Sequence, residues 1–75
     1  MKIQILGTGC PKCKQLEANA REAIAKKGVS AEIEKVTNID DIMAMGVMMT
    51  PALVIDGEVR SVGKVLSPDQ IAAQL

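Results

Sequence analysis

Ala52-Leu53-Val54-Ile55 is a continuous apolar run that follows Pro51 and ends at Asp56-Gly57. Four apolar residues without alternation are the pattern of a strand covered on both faces. Asp-Gly is a strong two-residue hairpin signal, so the chain is expected to return through Glu58 to Val62 as an antiparallel partner. With 75 residues there is room for one such core, and residues 1–75 are read as a single domain. At this size only about 60% of the unfolded chain's surface is buried on folding. That core must be built without Phe, Tyr or Trp, which leaves Ile, Leu, Val, Ala and five Met to fill it. Met43, Met45, Met48 and Met49 are therefore expected as core filler. The alternative is that Met48 and Met49 present an adaptable apolar surface to a partner peptide.

The remaining segments supply the other layers. Lys2 to Leu6 reads as a short strand stopped by Gly7-Thr8-Gly9. From about Pro11 to Lys27 the apolar period becomes helical, with Cys13, Leu16, Ala20, Ala23 and Ile24 on one face. Glu17 with Arg21 and Glu22 with Lys26 form i,i+4 pairs on the solvent side, and Gly28 stops the helix. Residues 30–36 alternate as a strand with one charged face, which suits an edge. Asn38 caps a short helix with Asp40 and Asp41 in its first turn, Ile39, Ile42 and Met43 lining its buried side, and Gly46 as its exit. Ser67-Pro68-Asp69-Gln70 combines an N-cap, a proline at the first helical position and a capping-box glutamine, opening a last helix with Ile71 and Leu75 at i,i+4. The order is βαβαββα, an α/β chain. Thr50-Pro51, taken alone, marks the start of the third strand.

Both cysteines fall in Gly7-Thr8-Gly9-Cys10-Pro11-Lys12-Cys13, where the first strand gives way to the first helix. At this spacing they could form a redox pair, half of a metal site or a structural staple. A staple is weak, because closing so short a loop contributes roughly 2 kcal/mol at best and local strain can erase it. If Cys10 lies at or just before the helix start, Pro11 takes the first helical position, where its missing N–H removes no helix bond. Cys13 then lies one turn later on the same side, within reach of a disulfide. Unpaired N–H groups, the positive helix end, Lys12 and Lys14 all favour a thiolate at Cys10. Cys10 is the candidate attacking group, Pro11 and Lys12 its stabilising neighbours, and the deeper Cys13 the candidate resolving thiol.

Charge and composition narrow the partners. Nine basic residues balance nine acidic ones, so there is no basic footprint for nucleic acid, and without aromatics there is no base-stacking platform. No segment approaches the roughly 18 to 20 apolar residues of a membrane span, and Met1 to Leu6 is too short for a signal peptide. The expectation is a monomer in the cytoplasm, where thiols are kept reduced and a close cysteine pair is put to catalytic or metal-binding use.

Taken together, the strand, Gly-Thr-Gly-Cys-Pro-Lys-Cys, the helix and the run from Gly46 through Thr50-Pro51 to Asp56-Gly57 resemble the thioredoxin fold. In particular they resemble its small stand-alone members known as redox-active disulfide proteins, and the resemblance covers essentially the whole chain. It implies a thiol-disulfide oxidoreductase without a bound cofactor or metal, built on a four-stranded mixed sheet flanked by helices. The first and third strands would be central, and the second and fourth would be at the edges. It further implies that Cys10 is the nucleophile, Cys13 the resolving thiol and Pro51 a cis-proline facing them. The backbone of Thr50 would pair with a bound protein disulfide, with Met49 beside it, and a flavoprotein disulfide reductase would donate electrons. In thioredoxin itself the nucleophile's pKa is about 7 rather than the free value of about 8.5. Such a shift raises the thiolate fraction at neutral pH roughly sixteenfold while costing about sixfold in nucleophilicity, so its main benefit is a better leaving group.

The chain departs in several places from the families it resembles. Thr8-Gly9 replaces the tryptophan before the cysteine pair, and the first strand lacks the buried carboxylate, leaving no identified proton acceptor for Cys13. Lys12 replaces the tyrosine of glutaredoxins, and their paired glycines reduce to Gly63, which argues against glutathione as a substrate. The competing resemblance is to the heavy-metal-associated domain, a soft-metal carrier in which two thiolates hold Cu(I). That fold runs βαββαβ and ends on a strand, whereas this chain is expected to end on a capped helix.

Overall fold

A computed structural model describes residues 1–9 and 11–75. The elements are β1 (Lys2–Leu6), α1 (Pro11–Lys27), β2 (Glu32–Val36), α2 (Ile39–Ala44), β3 (Ala52–Ile55), β4 (Glu58–Val62) and α3 (Pro68–Ala72). The sheet order is β2-β1-β3-β4. β1 pairs parallel with β2 and antiparallel with β3, and β3 pairs antiparallel with β4. The mixed sheet and the chain order are those expected from the sequence, with the charged β2 at one edge. β2 begins at Glu32 rather than residue 30 because its first partner is Lys2, where β1 itself begins.

Alternation along the two central strands divides the core. Ile3 and Ile5 of β1 and Leu53 and Ile55 of β3 face Leu16, Ala20 and Ala23 of α1 and Ile71 of α3. Leu6, Ala52 and Val54 cluster with Ile42 of α2 and with Val47. All four residues of β3 are buried, as a strand covered on both faces must be.

Local chemistry fixes the connections. Asp56 and Gly57 adopt φ of 50° and 81°, the two successive positive values that a tight hairpin turn requires. Asp56 Oδ1 also accepts the backbone N–H of Lys2 at 2.8 Å, tying the hairpin to the start of β1. The edge strand β4 carries a register irregularity opposite Leu53/Val54, which blunts it against further pairing. Ser67 and Gln70 complete the capping box of α3. Arg21 pairs with Glu17 as expected, whereas Lys26 reaches Asp69 of α3 at 2.7 Å. That contact joins two helices, and Glu22, the partner expected along α1, acts on Lys26 through its charge alone.

The methionines correct the sequence reading. Met43, Met48 and Met49 are 57%, 82% and 63% exposed, and only Met45 packs partly against the core, beside Leu6 and Val47. Ile39, expected on the buried side of α2 with Met43, is also exposed. A six-residue helix turns one narrow side to the sheet, and Ile42 takes it. Among the described residues, no helix is long and apolar enough to cross a membrane.

Candidate active site

The site begins where β1 ends. Gly7 donates its N–H to the Val36 carbonyl at 2.9 Å, prolonging the β1–β2 pairing by one residue. The chain then passes through exposed Thr8 and Gly9 into α1, with Pro11 in its first turn. Cys10, the candidate nucleophile, lies outside the described residues. Pro11 and Lys12 are exposed, and the first turn of α1 contains no acidic residue, so nothing there opposes the positive end of the helix dipole. Cys13 is on the inner face of α1 and only 5% exposed.

Gly7 is the point on which separate parts of the chain converge. A β-carbon built there would overlap Cys13 Sγ, lie 3.1 Å from Cys13 Cβ and lie 3.8 Å from Thr50 Cβ. The missing side chain is thus replaced by the thiol of α1, with the residue before Pro51 alongside. This brings the cysteine helix and the Thr50-Pro51 segment together. The Thr50–Pro51 peptide is cis. Pro51 is fully buried, Thr50 is exposed, and the Pro51 carbonyl accepts the N–H of Gly63 at 2.8 Å.

An apolar groove of about 280 Å³ opens beside this junction. It is lined by Thr8 and Thr50 and by Ile39, Ile42, Met43, Val47 and Met48. Met49, the candidate substrate contact, is not part of that lining. Its side chain lies against Gly63 instead, within 3.3–3.7 Å of where a β-carbon on Gly63 would be. The sequence reading missed the roles of Gly7, Ile39 and Met43 here. A glycine closing a strand six positions before a cysteine was the available signal for Gly7, but nothing in the spacing alone says that the thiol would turn back onto it.

A buried thiol at the start of a helix, set against a cis Thr-Pro segment that leads into a central strand, is the arrangement of a thioredoxin-type protein. Comparison with known proteins leads to the same class. The thioredoxin domain family matches residues 1–75. A thioredoxin of Methanothermobacter thermautotrophicus is 48% identical over 71 residues, covering 95% of this chain and 92% of its own. A thioredoxin of Methanocaldococcus jannaschii is 41% identical over 73 residues, covering 97% and 84%. The chain belongs to the thioredoxin family and is a thiol-disulfide oxidoreductase. The metal-carrier resemblance loses its basis in the fold, since α2 stands between β2 and β3 where a βαββαβ order has the two strands in succession.

Proposed function

We propose that residues 1–75 work as one domain that passes electrons to protein disulfides through Cys10 and Cys13. The Cys10 thiolate attacks one sulfur of the target disulfide, breaking that bond and forming a Cys10–target mixed disulfide as the first target sulfur leaves and takes a proton. Cys13, once deprotonated, attacks Cys10 Sγ and releases the second target sulfur. The target gains two electrons, and the protein is left with a Cys10–Cys13 disulfide. A flavoprotein disulfide reductase returns the electrons, in keeping with a reducing cytoplasmic setting.

In this reading the partner segment lies along Thr50 and Pro51, with Met48 and Met49 offering apolar contact on either side. Pro11, Lys12 and the start of α1 favour the Cys10 thiolate. The observation that carries the reading is the convergence of Cys13, Gly7 and Thr50, which brings the thiol helix to the segment expected to hold substrate.

Turnover of a model protein disulfide by the purified protein is the direct test. Cys10→Ser should abolish exchange, and Cys13→Ser should accumulate a partner as a stable mixed disulfide. Absence of exchange in the unsubstituted protein, or undiminished exchange in Cys10→Ser, would defeat the proposal. A measured reduction potential then identifies which reductases can act as donors.

A further inference from the structure

Three methionines stand outside a core that could have used their volume, and two of them share one opening. Met43 and Met48 line the groove between α2 and the Thr50-Pro51 segment, over a floor of Ile42 and Val47, which are 3% and 1% exposed. Thr8 and Thr50 join the same lining and link it to the cysteine turn and to the residue beside Cys13. Met48, at 82% exposed, is the more exposed of the two residues. Met45, by contrast, is partly buried against the Leu6 and Val47 cluster.

We infer that Met48, with Met43, is an oxidation site through which peroxides weaken engagement of the partner disulfide. This rests on the reading that a partner segment docks beside Thr50 and Pro51. A hydroperoxide transfers its distal oxygen to the thioether sulfur. The O–O bond breaks, the sulfur loses two electrons and becomes a sulfoxide, and the peroxide leaves as water or an alcohol. The product is polar where the thioether was apolar. Because neither side chain belongs to the packed core, the change falls on the groove and not on the fold. Thiol reductants restore cysteines but leave the sulfoxide, which requires methionine sulfoxide reductases for reversal. The effect of a peroxide pulse would therefore outlast recovery of the thiols.

The test starts from the disulfide form, so that the cysteines are protected. Protein is treated with hydrogen peroxide, reduced with dithiothreitol and checked for full thiol content. Sulfoxide at Met43 and Met48 is located by peptide mass spectrometry. The KM for a protein disulfide should rise roughly three- to tenfold, the scale of losing one or two apolar contacts, with kcat little changed. Turnover of a small disulfide that does not fill the groove should stay the same. Treatment with methionine sulfoxide reductases should restore the original KM. The double variant Met43→Leu/Met48→Leu, whatever its own starting KM, should lose most of the rise on peroxide treatment, with any small remainder assigned to Met49, which is 63% exposed and lies outside the groove lining. An unchanged KM in protein carrying both sulfoxides, an equal loss in the double variant, or no sulfoxide at Met48 would each overturn the inference. If untreated protein fails to reduce the protein disulfide, the proposed function itself falls and the inference falls with it.

Discussion

Cys13 Sγ occupies the space that a side chain on Gly7 would need. Gly7 is itself buried and bonded to Val36, so its backbone has little freedom to retreat from a larger residue. In Gly7→Ala the thiol must move, or α1 must shift away from the end of β1. Overpacking of this kind costs about 1–3 kcal/mol, measurable as a lower urea midpoint. If Cys13 resolves the mixed disulfide, the larger effect is kinetic. The mixed disulfide should persist longer, while the pH dependence of Cys10 alkylation changes little. Wild-type stability and wild-type turnover in this variant would mean that the thiol has room to spare.

The elements that rest on chemistry within a few residues were legible in the sequence. The Asp56-Gly57 turn, the Asn38 cap and the Ser67/Gln70 box need no distant partner, and they appear where the sequence places them. The apolar run of β3 also declared its double burial, because no residue in it offers a polar face. Met43, Met48 and Met49 were not legible, since apolarity alone does not say which residues a short helix and loop will turn toward the sheet. Ile42 and Val47 took those positions. The fit of Cys13 against Gly7 was hidden for a related reason. It arises when α1 folds back over the end of β1, and neither residue alone signals it.

Removing Ile71 should nearly detach α3. This five-residue helix is too short to be stable by itself, and Ile71, fully buried among Ile3, Leu16 and Leu53, is its main anchor in the core, with Ala72 and the following Leu75 only partly buried against the same cluster. Ile71→Ala should cost about 2–5 kcal/mol. A chain of this length has a total stability of about 4–11 kcal/mol, so the variant should melt far lower and show early amide exchange over α3. A loss below about 1 kcal/mol would mean that Asn19, bonded to the Leu66 carbonyl at 2.9 Å, and the Lys26–Asp69 pair hold the helix without it.

The cap of the same helix makes a smaller and separable contribution. Ser67 Oγ accepts the Gln70 N–H at 3.2 Å, and Gln70 Oε1 accepts the Ser67 N–H at 2.9 Å. Ser67→Ala should lower stability by about 1 kcal/mol in urea unfolding. The cap lies at the start of α3, outside the groove lining and away from the Gly7 junction, so disulfide turnover at temperatures well below the transition should match that of the unsubstituted protein. A fall in turnover without a fall in stability would tie this end of the fold to the site.

Glu17 gives a pH-dependent test of how α1 is held to the edge strand. Its carboxylate takes Arg21 at 2.8 Å on its own helix and Lys35 of β2 at 3.4 Å. The hydrogen bond from Arg21 is the main cause holding its pKa below the ordinary carboxylate value. Partial burial works the other way, and Lys35 adds to the lowering. A pKa lower in the folded than in the unfolded chain means that folding favours the ionised form. The stabilisation is therefore complete above the unfolded value of about 4.3 and is lost as pH falls through the folded one. Glu17→Gln should be less stable than the unsubstituted protein at pH 7 by at most about 1 kcal/mol. The gap should narrow as pH drops below about 4 and should shrink in high salt. Glu34, whose pKa is lowered by the Gln4 side chain and then by Lys2, titrates in both proteins and so cancels from the difference. A gap that stays constant from pH 7 to pH 3 would assign the effect of the substitution to packing and not to charge.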